Sequence, residues 1–480
     1  MRVRLQTRTT HSVLPDTVLS RAKLHGAVLA HFGIAILICL LVLAPVFEQA
    51  PIQRVATISL LLACALGYLV AKSLSDGVWS FPFLYFLILC LFHLGLFVSP
   101  ALDNGRMASF LDGTWTGWYS DPVMIRAAYL IDLGLLSYAT AIGFVAWLSS
   151  NSGTKMRPSE LQEHSSDRSM RDAIVDVGGL TLSVAVASWL FVCYTQLGPL
   201  FFLNSYGEYL EATSGNSVGL IYFGITIGSA LIAQDTSRLI SRTGLVFLFA
   251  FLLLALPMGL RSESLFPLIA ALAVFIRCRK TPSFASMVVC VLIGLVAISA
   301  VQQVRSQGLG DTSLHEVSAS PIKAIEEMGY SARVIVTTIG WHEAAHEPYM
   351  AGATYAAPLE RGLAGILGLP REDAETDFRL MNAEIAHRVG PIGGSIIAEG
   401  HHNFGIAGIL LALALAGFLA SRLCIVPPRP VPLAFLGVAA SLLLMHVRNS
   451  FAPIFAWGTG GVALILLAIG LSWLKGRKVH

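Results

Sequence analysis

Three groups of residues have the types and spacing to do chemistry. His342-Glu343-Ala344-Ala345-His346 has the HExxH pattern. On a helix this spacing sets two imidazoles on one face and aims a carboxylate at a metal-bound water. Pro348 follows at once and ends any helix there. The third-ligand candidates Glu384, His387, Glu399 and His401 stand in no ligand motif, so zinc is disfavoured and no metal or other cofactor is expected. Glu375 and Asp377 have an acidic-x-acidic spacing, for which a solvated helix start is the preferred reading. The third group is Arg261, Arg305 and Arg448, each at the end of an apolar run. A guanidinium there either snorkels to the interface or turns inward and grips an anion with two parallel N–H donors. Three of them at outer helix ends could converge on one phosphate-bearing ligand.

The elements that must position these residues are nearly all apolar. Of 480 residues, 55% are apolar and 13% charged, with mean hydropathy +0.70. A soluble domain carries about 25% charged residues. Runs near 28–46, 53–71, 81–99, 123–148, 173–196, 217–234, 243–258, 264–277, 283–303, 404–421, 431–447 and 454–474 predict about twelve transmembrane helices. Continuous runs of this length point to an all-α polytopic membrane protein and not a barrel, whose strands alternate. The run at 264–277 is short and contains Pro267. Every second gap is basic, as at Lys155/Arg157, Arg238/Arg242, Arg277/Arg279/Lys280 and Lys475/Arg477/Lys478. The positive-inside rule makes those gaps, and both termini, cytoplasmic. The net charge of +3 thus reports topology, the lipid bilayer is the partner it serves, and no nucleic-acid partner is implied.

The chain divides into helices 1–9 over residues 1–303 with a polar cytoplasmic linker at 149–172, a periplasmic loop at 304–403, and helices 10–12 over 404–480. The first helix reads as uncleaved, because no small-x-small site follows it. Within the loop, Pro321–Trp341 and Asp377–Val389 have helical patterning. All seven cysteines fall in predicted spans or at cytoplasmic ends, so no disulfide is expected. No internal repeat is visible, which weakens a transporter reading. No glycine-rich phosphate loop appears, which disfavours a nucleotide-sugar donor.

Gly352-Ala353-Thr354-Tyr355 in the loop, and Ala398-Glu399-Gly400-His401-His402-Asn403-Phe404-Gly405-Ile406-Ala407-Gly408 at the next helix, resemble the motifs of bacterial O-antigen polymerases of the Wzy type. Gly259–Glu263 is similar to that family's small-x-Arg element, and the resemblance spans roughly 243–460. HExxH is a departure from the family pattern. The resemblance implies a C-type glycosyltransferase-like protein of the bacterial inner membrane that polymerises undecaprenyl-pyrophosphate-linked oligosaccharide repeats, donor and acceptor alike, into O-antigen or exopolysaccharide. A chain-length regulator and a flippase are the further partners it implies. On this reading Arg261, Arg305 and Arg448 hold the pyrophosphate, and Glu399, His401 and His402 supply the general base. Tyr355, Arg333 and Asn403 contact sugar. The alternatives are an O-antigen ligase, a lipid-linked oligosaccharide flippase, and a membrane zinc peptidase. For the peptidase, Leu111-Asp112-Gly113 resembles the second intramembrane-protease motif but precedes HExxH.

Overall fold

The structure, a computed structural model, describes residues 16–102, 120–149, 165–213, 218–279, 282–307, 320–390, 392–425 and 427–477. Every regular element among them is a helix. The first group is α1 (Asp16–Val42), α2 (Ala44–Glu48), α3 (Ile52–Ser73), α4 (Phe81–Leu94), α5 (Val98–Leu102) and α6 (Asp121–Ser149). The second is α7 (Ser165–Leu197), α8 (Tyr206–Thr213), α9 (Val218–Ile232), α10 (Leu239–Ala255), α11 (Arg261–Cys278) and α12 (Phe284–Gln307). The polar segment then folds as α13 (Pro321–Met328), α14 (Ala332–Ile339), α15 (Ala353–Leu367) and α16 (Met381–Arg388). The chain closes with α17 (Ile396–Ile425), α18 (Pro430–His446) and α19 (Phe451–Arg477).

Each apolar run read from the sequence coincides with helix. Among the described residues, seven helices are long and apolar enough to cross a membrane unaided. The others are shorter, or carry charges near their ends as α11 does with Arg261, Glu263 and Arg277. Apolar side chains face outward as well as inward: Leu239, Val246, Phe249 and Leu253 of α10 are all exposed. A soluble helix would hide that face, whereas a lipid-facing one presents it. The result is a multi-pass membrane protein.

α6 is buried on nearly every side between α1, α3 and α17. Small residues permit this approach. A Cβ on Gly143 would lie 2.7 Å from the Ala30 amide nitrogen, so only glycine fits where α6 crosses α1. Some polar side chains inside the bundle pair with each other, as when Ser59 donates to Asp132 at 2.7 Å.

Four boundaries differ from the sequence reading. The linker at 149–172 ends early, because α7 begins at Ser165. Asp172 and Asp176, one turn apart, grip Arg238 at 2.9 and 3.1 Å and hold that end helical. The helical stretch from Pro321 to Trp341 passes through a 3₁₀ turn at Gly329–Ser331 and ends in a π turn at Gly340–Ala344. The helix expected from Asp377 starts only at Met381. Last, α17 begins at Ile396, eight residues before the expected 404, and breaks at Phe404–Gly405. Gly405 has φ 59°, a left-handed conformation that favours glycine.

The 3₁₀ turn at Gly329 is where the polar segment meets the bundle. A Cβ there would lie 2.2 Å from the Leu96 amide nitrogen, and one on Gly95 would lie 2.1 Å from the Ile325 carbonyl. Gly329→Val should therefore push α13 off α4, at a cost of about 1–3 kcal/mol. A lowered unfolding temperature of the detergent-solubilised protein checks this, and an unchanged one would mean that the contact is not tight.

Candidate functional site

Glu399 lies on the short arm of α17 before the break and is fully buried. Its Oε1 accepts from the Thr354 hydroxyl at 2.8 Å. Its Oε2 accepts from the Phe451 amide at 2.7 Å and meets His446 Nε2 at 3.1 Å. A carboxylate removed from water survives only when its oxygens are satisfied in this way, and here the amide is the first of α19. Asn403, also buried, donates to Thr354 Oγ1 at 2.7 Å and accepts from the Gly352 amide at 3.0 Å. The amides of Met350 and Ala351 donate to the carbonyls of His402 and Asn403, both at 3.0 Å. The end of the short arm is thus capped by the loop instead of by its own next turn.

His401 and His402 enter a second network. His401 Nδ1 lies 3.0 Å from Thr338 Oγ1, whose own hydroxyl donates to Ile335. The ring must therefore donate to Thr338, while its Nε2 faces Glu343 Oε1 at 3.2 Å. Glu343 is also held by Arg126 of α6, with contacts at 2.9–3.1 Å, and Arg126 reaches Glu48 at 2.8 Å. Partial burial pushes the Glu343 carboxyl up, but the hydrogen bonds from His401 and Arg126 outweigh this and hold it down at about 2. His402 Nδ1 meets His342 Nε2 at 2.8 Å, and its Nε2 lies 2.9 Å from Glu384 Oε2. Glu384 is bonded by Arg388 at 2.8 Å, and Arg388 also packs 4.1 Å above the Trp341 ring. His346 takes no part in this arrangement. It is exposed at φ 57° beyond the π turn, so the two histidines of HExxH do not share a helix face and the spacing never becomes a zinc site.

The arginines gather elsewhere. A cavity of about 440 Å³ is lined by Arg261 at the start of α11, Arg333 in α14 and Arg448 after α18. Arg261 pairs with Glu327 at 2.5 Å. Arg448 donates to Ser262 Oγ at 3.3 Å, and Ser262 donates to Glu263 Oε2 at 3.0 Å. Arg333 donates to the Tyr330 hydroxyl at 3.2 Å. Phe92 and Ile298 supply apolar wall, and Arg448 sits 5.8 Å above the Phe92 ring.

The description O-antigen polysaccharide polymerase Wzy matches residues 29–477 of this sequence. The chain belongs to that family. It is also 23% identical to Protein CapE of Staphylococcus aureus over 414 residues, which cover 84% of this chain and 87% of that protein. No solved structure matches it. The two Wzy-type motifs recognised in the sequence, Gly352–Tyr355 and Ala398–Gly408, are bonded to each other through Thr354, Glu399 and Asn403.

The placement of the individual residues separates what the sequence had grouped. Arg261, Arg333 and Arg448 share the cavity, whereas Glu399, His401 and His402 do not line it. Glu399 is fully buried, its oxygens accepting from Thr354 and Phe451 and meeting His446. Asn403 is buried and spent on Thr354 and Gly352, not presented to a sugar. Tyr355 is half-buried, edge-on to Phe451 at 5.4 Å. Arg305 is helical within α12, and its side chain lies outside the described residues, as does the whole of Leu111-Asp112-Gly113. Asp377 is no solvated helix start: it is 1% exposed, held by Arg361 at 3.1 Å and Arg379 at 2.9 Å. Arg126, Glu263 and Glu327 were missed. Arg126 had a signal, as a charge near the head of a largely apolar run, and Glu263 stood within the Gly259–Glu263 element.

Two outcomes follow. Glu399→Ala strands the Thr354 hydroxyl and the Phe451 amide in the interior, and should lower stability by about 3 kcal/mol, read as a fall in unfolding temperature. Glu343 is depressed in the fold, so its contribution is complete above the ordinary glutamate range and is lost as pH falls towards 2. Glu343→Gln should therefore unfold at a lower temperature than the parent at pH 7, and the gap should close as pH drops below about 4. A gap constant with pH would overturn the assignment.

Proposed function

We propose that this protein joins undecaprenyl-pyrophosphate-linked oligosaccharide repeats into a surface polysaccharide by glycosyl transfer at the periplasmic face of the bacterial inner membrane. Membership of the Wzy family supports the polymerase reading. The observation that carries the site is the cavity lined by Arg261, Arg333 and Arg448, drawn from three separate elements. In the reaction the acceptor hydroxyl oxygen bonds to the anomeric carbon of the donor sugar. The bond from that carbon to the pyrophosphate breaks, and its electron pair leaves with the lipid pyrophosphate. Negative charge grows on the leaving group, and fixed guanidinium donors stabilise it without reorganisation. Arg333 joins the anion clamp on this reading and does not contact sugar. Glu399 and Asn403 position the corner that carries Arg448, and a cavity of this size admits a pyrophosphate with the sugar next to it.

The same reading places twelve helices across the membrane with both termini cytoplasmic, so that α13 to α16 form a periplasmic cover over the arginine cavity. It is the C-type arrangement, in which a lipid-linked donor reaches a membrane-embedded site from the side. Charge neutralisation by side chains leaves no step that needs a metal.

Purified protein given lipid-linked repeat, extracted from cells lacking this chain, should build a polymer ladder on a gel. Arg261→Ala and Arg448→Ala should each reduce the ladder by at least a hundredfold in rate. The ladder of the parent protein should persist in EDTA. An undiminished ladder in both arginine variants would place the pyrophosphate elsewhere.

A further inference from the structure

The polar segment contains one stretch that is not polar. From Gly362 to Pro370 the chain reads GLAGILGLP, and it forms the end of α15 and the turn beyond. Leu359, Leu363, Ile366 and Leu367 are each more than half exposed, with Ile366 at 84%. Spaced at i, i+4, i+7 and i+8, they form a row along one side of the helix. The two charges of α15 turn another way. Arg361 donates to Asp377 and to the Glu372 carbonyl, and Glu360 accepts from Arg379, so both fasten α15 to the loop at 372–379. A helix washed by water buries such a row against its own protein, and α15 leaves it bare.

Where the row lies decides what covers it. α15 packs on the head of α19: a Cβ on Gly362 would lie 3.3 Å from the Phe455 ring, and Tyr355 stands edge-on to Phe451. Gly362 is three residues after Leu359 and four before Ile366, so the row adjoins this contact. On α19, Val462 and Leu466 follow Phe455 at i+7 and i+11, on the same side of the helix, and both are exposed. α15 therefore sits at the top of a stripe that α19 turns to lipid. Phe455 is four residues into α19, about 6 Å along its axis. With 27 residues, α19 is about 40 Å long and overruns a ~30 Å hydrocarbon core by about 5 Å at each end. The contact with α15 thus stands at the edge of the hydrocarbon.

We propose that α15 is an interfacial helix, its row of Leu359, Leu363, Ile366 and Leu367 immersed in the acyl edge of the leaflet beside the polar segment. The occupant is lipid and not a second copy of the chain. A row of four side chains falls far short of the about 20–30 residues a side that a stable protein interface engages. It also runs on into the surface that α19 gives to acyl chains. The leaflet contact reaches the interior through Thr354, in the first turn of α15, which donates to Glu399. None of this depends on the polymerase reading of the cavity.

The test adds one cysteine to the full-length protein, labels it with an environment-sensitive dye, and reads quenching in phosphatidylethanolamine–phosphatidylglycerol vesicles. The parent protein, labelled alike, supplies the background of its seven cysteines. One quencher is a phospholipid with a nitroxide near the top of its acyl chain, and the other is iodide on both sides of the vesicle. Dye at Ile366→Cys should be quenched by the nitroxide lipid at least about threefold more than dye at Glu375→Cys, an exposed position in the following loop. Iodide should quench the two in the reverse order. Dye at Glu360→Cys, on the polar side of the same helix, should behave as at Glu375→Cys. Iodide quenching at 366 equal to that at 375 overturns the proposal, because the row then faces water. Shielding of 366 from both quenchers also overturns it, and assigns the row to a second copy or another protein. If Ile366→Cys does not fold, Leu359→Cys and Leu363→Cys carry the same expectation.

Discussion

One buried carboxylate constrains the end of this protein where the polar segment meets the bundle. Glu399 is shut away from solvent, so it must have donors, and they come from two stretches of chain: Thr354 in the polar segment, and His446 with the first amide of α19. Satisfying it draws the polar segment, the broken helix α17 and the α18–α19 corner into one geometry. Any departure from that geometry leaves a charge or a donor stranded in a low-dielectric interior, where the penalty is several times that of a surface contact. The network is costly to assemble and still more costly to disturb. That is the property expected of a structural fixture.

The histidine network and the arginine cavity are consequences of this fixture and do different work. His401 and His402 follow Glu399 on the same short arm, so seating the carboxylate delivers both imidazoles to the carboxylates Glu343 and Glu384. Those are in turn neutralised by Arg126 and Arg388, and the charges of the network offset one another. The cavity is not self-contained in this way. Its arginines are mounted on α11, α14 and the turn after α18, elements that the network positions from outside.

Much of the bundle was legible in the sequence, because lipid rewards length and apolarity directly and leaves a signal that needs no partner to be read. The arginines were legible for the complementary reason: a charge at the end of an apolar run is conspicuous. The rest depends on pairing at a distance. Glu399 looked like a base because it stands beside two histidines, and nothing local reveals that Thr354 and Phe451 consume its oxygens. Glu326 and Glu327 are adjacent in PIKAIEEM, yet one is buried on Ser99 and the other faces the arginines. Helical phase alone could not choose between them without knowing which face meets α4. HEAAH has the zinc-site spacing, but spacing assumes a regular helix, and the π turn at Gly340–Ala344 places His346 outside it. Asp377 read as a helix start because its two arginine partners bracket it from Arg361 and Arg379, at spacings that no helix pattern flags.

A polar segment this short has no core of its own with which to hold a binding site rigid, and two pins to the bundle take that place. At one end Gly329 is pressed onto Gly95 so closely that neither tolerates a Cβ. At the other, the Glu399 network fixes the corner at 446–451, where the Gly394 amide also donates to the Arg448 carbonyl at 2.9 Å. The cavity lies between the pins. Phe92, one of its walls, stands three residues before Gly95, and Arg448 stands three before Phe451. The spacing of the guanidinium groups is thus set when the bundle folds, and an incoming anion need not bring them together. Binding that requires no ordering retains the full electrostatic gain for the bond that breaks. Under the proposed function, this gives the polar motifs their purpose: they hold still the arginines that would meet the substrate.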